Sequence, residues 1–183
     1  MTSPIAPSGR AYMPLAARDD WATPPELFDK LDREFGPFDL DPCGQREHHY
    51  TAHTIHARGG LFYDGSCPAL DGLTQPWRGR VYVNPPYGRQ MPRWIEKAVA
   101  EVEAGNAELV CALIPARTDT KMWQRFILGE FINPWDRCCQ DGAESRGRFH
   151  VRLKLVRFLA GRVKFVGGAA SAPFPSAIVV WSR

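Results

Sequence analysis

Apolar positions along this chain recur with two different periods, and the changes between them lay out alternating helices and strands. Leu27, Phe28, Leu31 and Phe35 fall on one helical face. Thr23 stands where an N-cap is expected, Pro24 at the first helical position and Glu26 where it closes a capping box. Gly36-Pro37 ends the pattern, so the spacing predicts a helix over 23–35. Short apolar runs predict strands at 38–41, 80–83 and 108–114. Between the last two, Trp94, Ile95, Ala98, Val99 and Val102 form an inward stripe for a helix over 92–104. A helix is predicted over 119–128, then strands at 152–159, 162–166 and 176–181, while residues 42–79 read as a long irregular loop. This order predicts an α/β fold, a mostly parallel sheet with a C-terminal antiparallel strand.

Composition adds limits rather than detail. With 183 residues, 44% of them hydrophobic, the chain has the mass for one well-buried core. Residues 1–20 lack a hydrophobic signal core and read as a flexible tail, leaving 21–183 as a single catalytic domain. No apolar run approaches the ~20 residues of a membrane span, and no internal repeat is evident. The net charge of +3 is mild, so nucleic-acid contact would depend on local patches. The five cysteines, Cys43, Cys67, Cys111, Cys138 and Cys139, are an odd number and suggest reduced thiols in the cytoplasm. His48, His49, His53 and His56 cluster without regular ligand spacing, so a loop carrying histidines is expected and no metal.

The chemistry concentrates at Asn84-Pro85-Pro86-Tyr87, directly after Val81-Tyr82-Val83. An exocyclic amine on a nucleobase has its lone pair delocalised into the ring and needs polarising before it can attack. The amide oxygen of Asn84 and the carbonyl of Pro85 are suited to accept hydrogen bonds from such an amine. Two prolines fix the carbonyl direction and bring no competing N–H. Tyr87 then offers a face on which an extruded base can stack. Taken alone, the tetrapeptide is also a proline-rich turn in a chain with 16 prolines. Upstream, Phe38-Asp39-Leu40-Asp41-Pro42-Cys43-Gly44 reads as a strand running into a glycine turn, the place where open α/β sheets bind ligands.

These blocks occur in a familiar order: Trp21-Ala22-Thr23-Pro24-Pro25-Glu26, residues 38–44, Asp71-Gly72-Leu73 and residues 81–87. The series continues in residues 113–123, in Gly161-Arg162-Val163-Lys164-Phe165 and in Ala172-Pro173-Phe174-Pro175-Ser176-Ala177. The chain resembles the phage-type DNA N-6-adenine methyltransferases, a Dam-like family, over roughly 21–181. The resemblance implies a Rossmann-like methyltransferase architecture with S-adenosylmethionine as cofactor. It places Trp21, Thr23 and Pro24 beside the cofactor, Asp41, Pro42, Cys43 and Gly44 in its main turn, and Asp71 near its adenosine or the target amine. Asn84, Pro85, Pro86 and Tyr87 carry the catalytic motif, and the partner is DNA, double- or single-stranded. A phage or prophage setting follows from the same resemblance.

The chain departs from the pattern at Gln45 and Arg46, where a second glycine often stands, and in a long stretch over 130–150 that includes Arg146 and Arg148. Basic candidates for phosphate contact are Arg89 and Arg93, with Lys97 continuing their spacing, then Arg117, Lys121 and Arg125. For the first three, a solvated helix face with Glu96 and Glu101 interleaved is the commoner explanation. Three functions stay open: methylation of adenine in DNA, methylation of another planar amine or amide such as cytosine N4 or protein glutamine, and an inactive nucleic-acid-binding module on the same scaffold.

Overall fold

A computed structural model of the chain describes residues 21–44, 50–129, 152–168 and 170–183. The expected tail over 1–20, the stretch over 130–150 and the positions of Gln45, Arg46, His48, His49, Cys138, Cys139, Arg146 and Arg148 lie outside the described residues. In chain order the elements are α1 (Pro25–Phe35), β1 (Leu40–Asp41), α2 (Tyr50–Ala57), β2 (Leu61–Phe62), a 3-10 turn at Pro68–Leu70 and β3 (Gly79–Val83). They continue with α3 (Met91–Glu103), β4 (Ala107–Pro115), α4 (Lys121–Phe126), β5 (Leu153–Phe158) and β6 (Ser176–Ser182).

The strands form a six-stranded mixed sheet in the order β2-β1-β3-β4-β6-β5. β2, β1, β3 and β4 pair in parallel, whereas β6 runs antiparallel to both β4 and β5. The chain leaves β1 for β2 on one side and then returns to place β3 on the other. That reversal is a topological switch point, and the carboxyl ends of the strands flanking such a point are where open α/β sheets bind ligands.

Helix α1 buries Phe28, Leu31 and Phe35 as its spacing predicts. Its start differs from expectation. The N-cap is Pro24, with no side-chain cap, and Thr23 lies outside the helix. The reason is local: a residue before proline is pushed out of the helical region, so Pro24 holds Thr23 extended and Pro25 holds Pro24 at ψ 136°. The Thr23 hydroxyl is thereby free for a tertiary partner.

Two further expectations are corrected. Residues 42–79 are not one loop, because α2 and β2 lie within them; α2 turns Thr51, Ala52 and Ile55 inward, a face too polar to announce itself in the sequence. His53 and His56 therefore sit on a helix, with the His56 ring 5.6 Å from that of Phe62. Residues 162–166 form no strand, only one antiparallel bridge from Val166 to Ala22. Gly161 and Gly167, at φ 74° and 79°, turn the chain at either end and leave no length for a ladder.

Tyr82 meets Phe28 and Phe38 at 5.1 and 5.6 Å between ring centroids. Trp77 stacks on Trp94 of α3 at 6.2 Å. Lys97, a candidate for phosphate contact by its spacing, turns inward: its Nζ is 2.6 Å from Glu101 and stands over the Trp77 ring at 5.6 Å. The apolar stripe of α3 draws both charges down beside it, where each needs the other.

Gly79 opens β3 at φ 69°, and a Cβ there would stand 2.3 Å from a carboxylate oxygen of Asp39. That same oxygen accepts the Arg80 N–H at 2.8 Å. Gly79→Ala is expected to destabilise the fold by roughly 1–3 kcal/mol in denaturant melts, through strained backbone and a displaced Asp39; an unchanged midpoint would show that this end of β3 yields freely.

Candidate active site

β1 ends at Asp41, whose carbonyl accepts the Gly44 N–H at 3.4 Å and the Tyr63 N–H at 3.0 Å. Its side chain is 3% exposed. Oδ1 accepts from the Cys43 N–H at 3.0 Å and Oδ2 from the Thr51 hydroxyl at 2.8 Å. Burial raises the carboxyl pKa to about 6, against the opposing pull of those two hydrogen bonds. Burial, and then the neighbouring Asp41 charge, push the Cys43 thiol well up, so it stays protonated. The turn is tight on its inner side: a Cβ at Gly44 would meet Ala52 and Phe62 at 3.0 Å.

Asp71 is brought to this turn by close backbone contact. A Cβ at Gly72 would stand 2.1 Å from the carbonyl oxygen of Pro42, so only glycine fits there. Trp77 anchors the same loop by donating from Nε1 to the Gly72 carbonyl at 2.8 Å. Asp71 is half-buried and closes its own turn, Oδ1 accepting from the Leu73 N–H at 2.9 Å.

β3 delivers residues 84–87 to the same edge. The Asn84 side-chain nitrogen donates to the Trp21 carbonyl and, at 3.1 Å, to the Thr23 hydroxyl. A carbonyl only accepts, which fixes the amide nitrogen on that side. Oδ1 is then turned away, buried and without a hydrogen-bond partner among the described residues. Most buried acceptors in folded proteins are bonded, so this oxygen has hydrogen-bonding capacity to spare, as do the buried Trp21 Nε1, Trp94 Nε1 and Ser176 Oγ among the described residues.

Tyr87 departs from expectation. It is 9% exposed, donates its hydroxyl to the Leu113 carbonyl at 3.1 Å, and packs edge-on against Phe165 at 5.9 Å and Phe174 at 5.4 Å. Its face is not open to an extruded base, because the connection between β5 and β6 lays both phenylalanines on it. The half-buried Trp21 joins the group, 5.2 Å from Phe165 and 5.9 Å from Phe174. Pro24 carries no polar side chain into the site; its carbonyl accepts the Leu27 and Phe28 N–H groups of α1.

Of the basic candidates, Arg89, Arg93, Arg117 and Lys121 are exposed. Arg89 lies in the turn after the tetrapeptide, Arg93 in the first turn of α3, and Lys121 opens α4. Arg117 follows β4 and places its guanidinium over the Phe174 ring at 6.0 Å, which makes it the one closest in connection to the aromatic group. Arg125 instead reaches Glu96 at 4.0 Å. Among the described residues no cluster of three His, Cys, Asp or Glu has metal-ligand spacing, and no helix is long and apolar enough to cross a membrane. A cavity of about 590 Å³ lies away from these groups, beside the amino-terminal ends of β1 to β3, with Asp39, Arg58 and Arg78 in its wall.

Five contributors escape a reading of the sequence: Thr51, Trp77, Tyr82, Phe165 and Phe174. Of these, Tyr82, Phe165 and Phe174 carried a signal, as members of blocks already noted, though none was singled out as a site residue.

Fold and site together define an α/β protein with a buried, unpartnered amide oxygen near the switch point of its sheet. The chain belongs to the DNA N-6-adenine-methyltransferase (Dam) family, whose model matches residues 10–132. That match takes in the Asp41 turn, the Asp71 loop and residues 84–87, and ends before β5. A protein of Escherichia phage T1 described as a DNA N-6-adenine-methyltransferase is 31% identical over 120 residues, 62% of this chain and 44% of the phage protein. The alignment thus spans less than half of that relative. No solved structure matches the chain.

The folded chain holds the Asp41 proton more tightly than an unfolded chain does, so ionising this carboxyl costs stability. The cost is absent below about pH 4, grows as pH rises and is complete above about pH 6, with a size on the order of 3 kcal/mol. Asp41→Asn keeps an acceptor for Cys43 and a donor for Thr51. Its stability relative to the native chain should therefore rise by that order between pH 4 and 7; a difference independent of pH would mean that Asp41 is better solvated than its burial implies.

Proposed function

We propose that the protein transfers a methyl group from S-adenosylmethionine to the exocyclic N6 amine of adenine in DNA, with short or relaxed sequence specificity. The observation that carries this reading is the unpartnered Oδ1 of Asn84, held by its own amide hydrogens at the end of β3 in a Dam-family chain. An amine donor is the natural partner for a buried acceptor whose own nitrogen is already committed.

The residues fit a cationic cofactor. Asp41 and Asp71 stand on adjoining turns, and among the described residues no basic side chain pairs with either. Trp21, Thr23, Pro24 and residues 41–44 would border the bound cofactor. When bound, S-adenosylmethionine supplies an electrophilic methyl group and departs as a neutral thioether.

The chain's own part is alignment and polarisation. Asn84 Oδ1 and the Pro85 carbonyl accept the two N–H groups of the amine, drawing its nitrogen towards a tetrahedral form with an available lone pair. The two prolines keep that carbonyl from swinging away. Tyr87, tied to Leu113, holds the far end of the tetrapeptide to β4 rather than serving as an open stacking face. As the new N–C bond forms, the nitrogen becomes cationic and then loses a proton to water or a carbonyl, so no dedicated general base is required. Most of the rate gain comes from holding the reacting atoms in line.

Arg89, Arg93, Arg117 and Lys121 would contact phosphates around the site, with a binding constant that falls steeply with salt. The setting that suits this activity is the cytoplasm of a bacterial host carrying phage or prophage DNA, where the mark would protect DNA from restriction.

Incubation with DNA and labelled S-adenosylmethionine, followed by mass spectrometry of the nucleosides, is expected to yield N6-methyladenine. Asn84→Ala should lower turnover by at least ~10²-fold, as loss of a polarising partner does elsewhere, with the cofactor dissociation constant little changed. Methylation confined to cytosine N4, RNA or protein glutamine would overturn the substrate, and full turnover by Asn84→Ala would overturn the mechanism.

A further inference from the structure

We infer that Thr23 and Tyr82 are positioning residues, forming a buried hydroxyl relay that aims the Asn84 amide oxygen at the target amine. This rests on the catalytic reading of Asn84 given above.

Tyr82 faces α1 in the middle of β3 and is fully buried between Phe28 and Phe38. Phenylalanine would fill that place without the burden of a hydroxyl, since a buried polar group is costly unless bonded. Among the described residues the hydroxyl bonds Thr23 Oγ1, at 2.7 Å. Thr23 is itself 4% exposed, and its oxygen accepts an Asn84 N–H at 3.1 Å. The other Asn84 N–H goes to the Trp21 carbonyl.

Both amide hydrogens are thus held, one by a backbone carbonyl and one by a hydroxyl whose own rotation is fixed by Tyr82. Turning the amide over would set Oδ1 against the Trp21 carbonyl, acceptor against acceptor. Committing both N–H groups also shifts electron density onto Oδ1 and makes it a better acceptor. Most buried polar groups in folded proteins find a partner. This network ends on an oxygen with no partner among the described residues. Burial keeps the Tyr82 phenol protonated well beyond its usual range, so the relay persists at any working pH.

The test uses Thr23→Val, Thr23→Ser, Tyr82→Phe and the double variant Thr23→Val/Tyr82→Phe, assayed at saturating cofactor beside Asn84→Ala. Thr23→Val is expected to lower kcat by about 10- to 100-fold and Tyr82→Phe by about 3- to 10-fold, with the DNA KM nearly constant, because only alignment in the transition state is lost. Thr23→Ser should recover most of kcat. The double variant removes an orphaned phenol, so it should be more stable than Thr23→Val alone while its kcat stays low. In the protein without substrates, the Asn84 side-chain N–H signals in NMR should exchange with solvent slowly in the native chain and faster in Thr23→Val and Tyr82→Phe.

Native kcat in Tyr82→Phe and Thr23→Val, alongside an inactive Asn84→Ala, would overturn the relay and leave the catalytic reading standing. A kcat that follows stability, recovering in the double variant, would reduce the relay to a packing role and overturn it as well. If Thr23→Val does not fold, Tyr82→Phe and Thr23→Ser decide the matter by kcat and N–H exchange. Full turnover by Asn84→Ala would bring down the underlying reading, and the relay with it.

Discussion

The amide of Asn84 is held by groups that lie 61 and 63 residues earlier in the chain, and much of the rest of the molecule follows from meeting that requirement. The segment 21–23 has no helix or strand of its own to fix it. Two prolines keep it extended, Val166 bonds to the Ala22 carbonyl at 2.9 Å, and Phe165 and Phe174 pack against the Trp21 ring. The N-terminal segment, the end of β3 and the connection between β5 and β6 therefore form one unit. Disturbing any of the three would let the amide rotate, and an amide free to rotate presents its nitrogen as readily as its oxygen.

The sheet supplies the fixed frame for this unit. β3 pairs with β1 on one side and β4 on the other, so residue 84 leaves a strand that cannot shift without breaking two ladders. β4 in turn pairs over seven residues with β6, ending at Pro115 opposite Ser176. That register brings Phe174 and Pro175 to the carboxyl edge, where Pro175 accepts the Ala116 N–H at 2.9 Å. The one reversed strand is thus what delivers the aromatic wall to Asn84.

Charge is arranged by position rather than by amount. The net charge of +3 is too small to attract nucleic acid by itself. The acids Asp41 and Asp71 lie on turns locked together by the contact of Gly72 with Pro42, while Arg89, Arg93, Arg117 and Lys121 stand exposed. Under the proposed function this separation suits a cationic cofactor inside and phosphates outside. The buried Asp41 weakens the fold when ionised, which is understandable where a charge is kept for a ligand instead of for the core.

The sequence by itself determined α1, β3, α3 and β4, because each carries an apolar pattern strong enough to survive any tertiary context, and it marked the two-residue β1 through the Asp41-Pro42-Cys43-Gly44 turn that ends it. It also marked Asn84 and Asp41, since a strand followed at once by proline or glycine must end at a sheet's edge. The weak elements were not legible: α2 buries a single large apolar side chain, Ile55, beside Thr51 and Ala52, and β2 is two residues long with Leu61 exposed, so neither has a period to read. Nor was the use of particular atoms. Thr23 reads as a helix cap and binds an amide instead; Tyr87 reads as an open face and is packed; Tyr82 reads as strand filler and bonds Thr23. Local pattern records which way a side chain points along its own element. What it touches depends on segments that only folding brings together, and that is why the site's residues were visible in the sequence while the hold on Asn84 was decided by tertiary structure alone.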